Sequence, residues 1–168
     1  MKAKIAIASA VVAYAGLATG QLTHTYDISG LSAEGGFGAE FPTLTHDFGV
    51  AGSISQIDYD VTWESFDPSF GSEFVISIDT DLGNFFEPVT GAANAPGVYS
   101  YVDTVTFLPG FDSDGIVFLT LYETFSDAIS PNATVSTGSV TVTYIPVPAP
   151  ASAALLGAGG LLAARRRR

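Results

Sequence analysis

The chain lacks cysteine, and its central part, residues 21–146, also lacks lysine and arginine. Without cysteine there are no disulfides, thiolate metal ligands or thiol nucleophiles. Without basic side chains the central part has neither a lysine nucleophile nor the usual means of binding nucleic-acid phosphates. The six basic residues of the chain lie at its two ends: Lys2, Lys4, Arg165, Arg166, Arg167 and Arg168.

Acidic residues show the opposite distribution. All seventeen Asp and Glu lie between Asp27 and Asp127, in a chain of 168 residues that has room for one domain. These carboxylates repel each other and have no internal cation to offset them, so divalent cations are natural counterions.

The N-terminus has the pattern of an export signal. Lys2 and Lys4 precede an uncharged apolar run over 5–18, and small residues follow. The pattern predicts a signal peptide over 1–20, cleaved after Gly20 or after Ala18. A buried helix or a short membrane anchor is the alternative, but the run is short for a membrane span.

The C-terminus, residues 147–168, combines three parts. A proline motif (Val147, Pro148, Ala149, Pro150, Ala151) is followed by a glycine-containing apolar run and then by the four arginines. Prolines stop a helix from continuing toward the N-terminus. As a helix, 151–164 would be about 21 Å long, short of the roughly 30 Å hydrocarbon core. It could span only marginally, with residues 145–150 included and the arginines held on the cytoplasmic side.

This ending resembles the PEP-CTERM sorting domain of exported bacterial proteins. The resemblance implies processing by an exosortase-type membrane protease near the proline motif, after signal peptidase has acted at the N-terminus. It also implies transient membrane anchoring and delivery to the cell surface, in association with exopolysaccharide or biofilm matrix. The family's acidic residue between the prolines is replaced by Ala149, as in planctomycete-like variants, which leaves the cognate protease open. An ordinary bitopic anchor is the alternative.

The central part alternates between apolar and polar residues with the period of a β-strand. The pattern predicts seven strands, over 22–28, 44–50, 54–63, 74–78, 98–108, 116–122 and 140–144, the sixth of them central because it is apolar on both faces. We therefore expect an all-β fold, an antiparallel two-sheet sandwich over 21–146, flanked by an N-terminal signal helix and a short hydrophobic C-terminal helix. Residues 50–61 loosely resemble the jelly-roll domains of the subtilase-associated P-domain type, which favours a jelly-roll topology.

Two acidic segments have the spacing of calcium loops, in which alternate side chains converge on one ion. They predict calcium ligands at Asp79, Asp81, Asn84 and Glu87 and, in a shorter fragment of the same kind, at Asp112 and Asp114. The alternative is that these side chains bind their own backbone in Asx-type turns.

The sequence predicts no catalytic residue. No nucleophile motif occurs, and His24 and His46 fall on the apolar faces of predicted strands. Asp58 and Asp60 lie about 7 Å apart on one strand face, a spacing that overlaps that of glycosidase carboxylates. A small hydrolase is therefore only a weak alternative.

Phe85 and Phe86 lie in a predicted loop, where exposed rings could stack on sugars. Together these patterns predict an exported surface or matrix protein with a structural or adhesive role. The alternative is a carbohydrate-binding module that uses these two rings.

Overall fold

The computed structural model describes residues 20–33, 42–125 and 130–147. These residues form nine strands and one 3-10 turn: β1 (Leu22–Asp27), β2 (Ser32–Ala33), β3 (Thr43–Asp47), β4 (Gly52–Ser65), the turn Gly71–Glu73, β5 (Phe74–Thr80), β6 (Phe85–Phe86), β7 (Gly97–Ser113), β8 (Ile116–Glu123) and β9 (Ala133–Pro146).

The strands form two antiparallel sheets that pack as a sandwich. In the first sheet the order is β1-β9-β4-β7, and β2 pairs with the far end of β9. In the second sheet the order is β3-β8-β5-β6. Sequence-distant strands are therefore neighbours: β1 pairs with β9, so that Leu22 lies opposite Tyr144.

The core follows from strand alternation. On β4 the side chains of Ile57, Tyr59, Val61 and Trp63 point inward and are buried. The intervening polar residues point to solvent or along the outer face. On the opposite sheet β5 and β8 contribute a matching layer of buried residues: Phe74, Ile76, Ile78, Val117, Leu119 and Leu121. Each sheet thus buries the apolar face of the other.

The all-β sandwich predicted from the sequence is confirmed, and each of the seven predicted strands corresponds to an observed one. β8 is central in its sheet, as its two apolar faces predicted. The two-residue strands β2 and β6 were not predicted. The seventh predicted strand was placed too short, since β9 begins at Ala133, and so was the fifth, since β7 continues to Ser113.

β9 ends at Pro146. Val147 follows directly, and its backbone N–H donates to the carbonyl of Ala51 at 2.9 Å. Apart from Gly20 and Val147, the predicted signal peptide and sorting signal, with their two flanking helices, lie outside the described residues. Within the described ranges, no helix is long and apolar enough to cross a membrane.

Candidate functional site

A cleft lies on the outer face of the four-stranded sheet. It has a volume of about 390 Å³, and we call it the acidic cleft; it is lined by Ser77, Asp79, Glu87, Thr120, Tyr122, Glu123 and Thr124. Alternation explains its position: because Ile76 and Ile78 point into the core, Ser77 and Asp79 must point outward.

Neighbouring strands supply the rest of the floor by register. Thr120 on β8 lies opposite Ser77 on β5, and residues directly opposite each other share a face of the sheet. Glu87 follows β6 and reaches the floor from the edge, where it accepts a hydrogen bond of 2.6 Å from the Tyr122 hydroxyl. The floor of the cleft therefore combines the hydroxyl groups of Ser77, Thr120 and Tyr122 with the carboxylates of Asp79 and Glu87, which come from different parts of the chain.

The two carboxylates influence each other. Burial raises the pKa of Asp79, and the negative charge of Glu87 raises it further, while a hydrogen bond of 2.9 Å from the Ser77 hydroxyl opposes both effects. Burial also raises the pKa of Tyr122, and its hydrogen bond to Glu87 adds to the rise. Tyr122 thus stays a neutral donor, and the cleft as a whole favours hydrogen-bond donors and cations over anions.

An exposed aromatic ring lies beside the cleft. Phe85 is 65% exposed and lies opposite Asp79, so the two side chains share the outer face. Phe86 is half-buried and packs edge-on against Phe107, with ring centroids 5.0 Å apart. Of the two rings predicted to bind sugar, the structure leaves only Phe85 available for stacking.

The predicted calcium ligands fall into two places. Asp79 and Glu87 belong to the acidic cleft. Asp81 lies in the turn after β5 and accepts hydrogen bonds of 2.9 Å from the Ser113 hydroxyl and the Asp114 backbone N–H. The side-chain amide of Asn84 donates to the carbonyl oxygen of Asp112 at 2.9 Å.

Hydrogen bonds within the protein therefore link the β5–β6 turn, with Asp81 and Asn84, to the end of β7 and the β7–β8 turn, with Asp112 and Asp114. Among the described residues, no three His, Asp or Glu side chains are grouped so that they could hold a metal ion. Calcium binding stays a prediction, and the cleft pair Asp79 and Glu87 is the part of the predicted set that faces open space.

Asp58 and Asp60, the two carboxylates with glycosidase-like spacing, do not lie in the cleft. Asp58 lies on the outer face of β4, where its carboxylate accepts from the Gln56 amide at 2.9 and 3.0 Å and from the Thr104 hydroxyl at 2.7 Å. Asp60, on the same face, is exposed. This pair belongs to an open polar sheet face, since β4 and its neighbours present their polar residues there.

His24 and His46 connect the edges of the two sheets. His24 on β1 and His46 on β3 stack with ring centroids 3.7 Å apart and 13° between their planes. The Tyr26 ring packs edge-on against His24, and Phe48 packs edge-on against both imidazoles. Burial, followed by the neighbouring His46, lowers the pKa of His24 from 6.5 to about 4. The His24 ring is therefore neutral at pH 7 and packs as an uncharged aromatic group.

Sequence reasoning missed the contribution of Tyr122 to the cleft, because β8 has the pattern of a strand buried on both faces. Knowledge of the strand register would have predicted it. Once β5 and β8 are paired, Tyr122 lies two residues after Thr120 and therefore on the same face of the sheet. That pairing joins residues 37 to 49 positions apart and leaves no local trace in the sequence.

Comparisons with known proteins found similar structures but no similar sequences. No protein-family model matches the chain, and no curated protein does. The sandwich is similar to part of a serine protease of Aeromonas sobria (11% identity, TM-score 0.46, covering 76% of this chain and 27% of the protease). It is also similar to VP2 of infectious bursal disease virus (11% identity, TM-score 0.39, covering 77% and 34%) and to FLHE (11% identity, TM-score 0.37, covering 75% and 96%).

The chain thus spans about a quarter of the protease and a third of the viral protein. At such identities and TM-scores, any function has to be inferred from the residues of this chain.

Proposed function

We propose that this chain is an exported protein, sorted to the cell surface or extracellular matrix, whose sandwich binds polysaccharide at the acidic cleft. The observation that carries the proposal is a combination of groups on one sheet face: the carboxylates of Asp79 and Glu87, the exposed ring of Phe85, and the hydroxyls of Ser77, Thr120 and Tyr122. Sugars present hydroxyl donors and apolar C–H faces, and a carboxylate acceptor forms the stronger, charge-assisted hydrogen bond with such donors.

The negative charge of the cleft limits which polysaccharides it could bind. The described residues include no Lys or Arg, and the cleft itself contains carboxylates. An anionic polymer would meet uncompensated repulsion here. The proposed ligand is therefore a neutral or amino-substituted glycan chain.

The ends of the chain support the sorting part of the proposal. The signal-like start and the PEP-CTERM-like ending predict export, exosortase processing and surface delivery, and the sandwich ends at Pro146, next to the proline motif. The strand orders β1-β9-β4-β7 and β3-β8-β5-β6 support a jelly-roll topology, an architecture found in many lectin domains.

Affinity electrophoresis of the full chain tests the binding part. The chain is run through gels that contain single polysaccharides, with calcium and again with a chelator. We expect selective retardation by one neutral or amino-substituted polymer, and loss of that retardation in Phe85→Ala. Leu108→Ala is the matched control, since it removes an exposed apolar side chain from the other sheet.

Equal retardation of the two variants, or none with any polymer, would refute a binding site at the cleft. Retardation that needs calcium and is unchanged by Phe85→Ala would instead indicate a matrix component bridged by calcium. Removal of one hydrogen bond in Tyr122→Phe, with the ring retained, should weaken binding by about three- to tenfold.

A further inference from the structure

The acidic cleft is elongated along the strands. Asp79, at one end of its lining, lies opposite Phe118 on β8, and Thr124, at the other end, directly follows the last residue of that strand. Thr120 and Tyr122 lie between these ends on the same outward face. From the level of Phe118 to Thr124 the strand direction covers about 20 Å. The cleft is therefore much longer than a single sugar ring.

Aromatic rings lie at both ends of this length. At one end the exposed Phe85 on β6 and the half-buried Phe118 on β8 lie on either side of Asp79, on the outer face of the sheet. At the other end lies Phe125, which is 61% exposed and comes directly after the last residue that lines the cleft. Both ends therefore offer an apolar ring to a ligand on this face.

The Phe125 end is tied to the body of the sandwich. The backbone N–H of Thr124 donates to the carbonyl oxygen of Glu73 at 2.9 Å. The Glu73 carboxylate in turn accepts a hydrogen bond of 2.9 Å from the backbone N–H of Phe70. The backbone that leads into Phe125 is therefore anchored on the turn that precedes β5.

The middle of the cleft supplies polar side chains but no free strand edge. Ser77, Thr120 and Tyr122 present hydroxyl groups there, and Glu87 accepts from Tyr122. Over 116–120, β8 is paired with β3 on one side and with β5 on the other. A peptide strand therefore cannot add to it through main-chain hydrogen bonds. Recognition depends on side chains, and these hydroxyls and carboxylates suit a polyhydroxylated chain.

From this arrangement we infer that the acidic cleft binds an internal stretch of a linear glycan, several sugar units long, which runs along β5 and β8 from Phe85 to Phe125. The inference rests on the proposed function and specifies its ligand as a chain that is recognised along its length rather than by a terminal sugar. A disaccharide is too short to contact the rings at both ends, so only a longer chain gains all the contacts of the cleft.

Oligosaccharides of increasing length test the inference. The full chain is run in a gel that contains the polysaccharide that retards it most, and oligosaccharides of two, four and six units from that polymer are added as competitors. Examples are cello-oligosaccharides for a neutral glucan and chito-oligosaccharides for an amino-substituted chain. The six-unit competitor should abolish retardation at a concentration more than about fivefold below that of the disaccharide, because only the longer chain reaches both ends.

A variant at the far end tests the direction of the bound chain. Phe125→Ala should reduce this preference for the longer competitor by about threefold or more, since one of the two ring contacts is lost. The preference is a ratio of two concentrations measured on the same variant, so a change in affinity for the polymer itself cancels. Leu108→Ala is the matched control, because it removes an exposed apolar side chain from the other sheet and should keep the full preference.

Two results would overturn the inference. A preference of about fivefold or less is what a short site shows, because a longer chain merely offers it more positions. A preference that Phe125→Ala leaves unchanged would mean that the bound chain does not run toward this end. In both cases the retardation that defines the proposed function remains. Failure of every polysaccharide to retard the chain would instead remove the proposed function, and this inference with it.

Discussion

Replacing His24 by phenylalanine should remove a pH-dependent part of the stability of the sandwich. The folded state holds the pKa of His24 at about 4, against 6.5 when the ring is in water. A histidine with a lowered pKa favours folding as long as it is neutral. Its contribution is therefore complete above pH 6.5 and is lost as the pH falls from 6.5 toward 4.

The pKa difference sets the magnitude. It corresponds to at most about 3.4 kcal/mol, at about 1.4 kcal/mol for each tenfold change in proton affinity. Because the ring is only half-buried, solvent screening reduces this to roughly 1–2 kcal/mol. A phenylalanine keeps a flat ring against His46 and Tyr26 but cannot take up a proton.

Urea unfolding at pH 7.5 and at pH 4.5 measures the effect. Between these values the original chain should lose roughly 1–2 kcal/mol more stability than His24→Phe. Subtraction of the two chains cancels the titration of the carboxylates, which both retain. His46→Phe is the control, since it keeps the titrating ring of His24 but removes the neighbouring imidazole that helps to lower its pKa. It should therefore show a smaller loss than the original chain. Equal losses in the original chain and in His24→Phe would refute the role assigned to the stacked pair.

Three further predictions concern the cleft, the core and the N-terminus. Glu87→Gln should lower the pKa of Asp79 toward its ordinary value, because a neighbouring negative charge is removed while an acceptor for the Tyr122 hydroxyl remains. An NMR titration of the Asp79 carboxyl that shows no change would contradict the proximity of Asp79 and Glu87. Gly71→Ala should destabilise the fold by about 1–3 kcal/mol in urea unfolding, because the new Cβ would overlap the Tyr99 ring; an unchanged midpoint would show that the ring moves aside freely. Mass spectrometry of the exported protein should find an N-terminus after Gly20, and a retained leader would reject the signal peptide.

Alternation along the strands made much of the fold predictable. The period of two over 54–63 placed Trp63 in the core, and the two apolar faces of 116–122 predicted a central strand. β6 could not be predicted in this way, because two residues show no period. The sequence therefore could not tell that Phe85 faces out while Phe86 faces in.

The candidate site was predicted only in fragments. Asp79 and Asp81 have the spacing of one calcium loop, but β5 extends to Thr80, so Asp79 stays on the sheet face and Asp81 falls in the turn. Asp79 then meets Tyr122 and Glu87, which depends on pairing between β5, β6 and β8. Pairing of this kind is decided by tertiary packing and cannot be inferred from residue spacing alone.

The position of β9 also has a consequence for how the protein is made. β9 is the last strand of the described residues, yet it lies inside its sheet, between β1 and β4. Until it is available, β1 has no partner, and β4 has an open side. Folding that depends on such distant contacts is slow, because a long loop has to close before the contacts form. The first sheet therefore cannot be completed until β9 has been synthesised, so the described sandwich closes late in the synthesis of the chain.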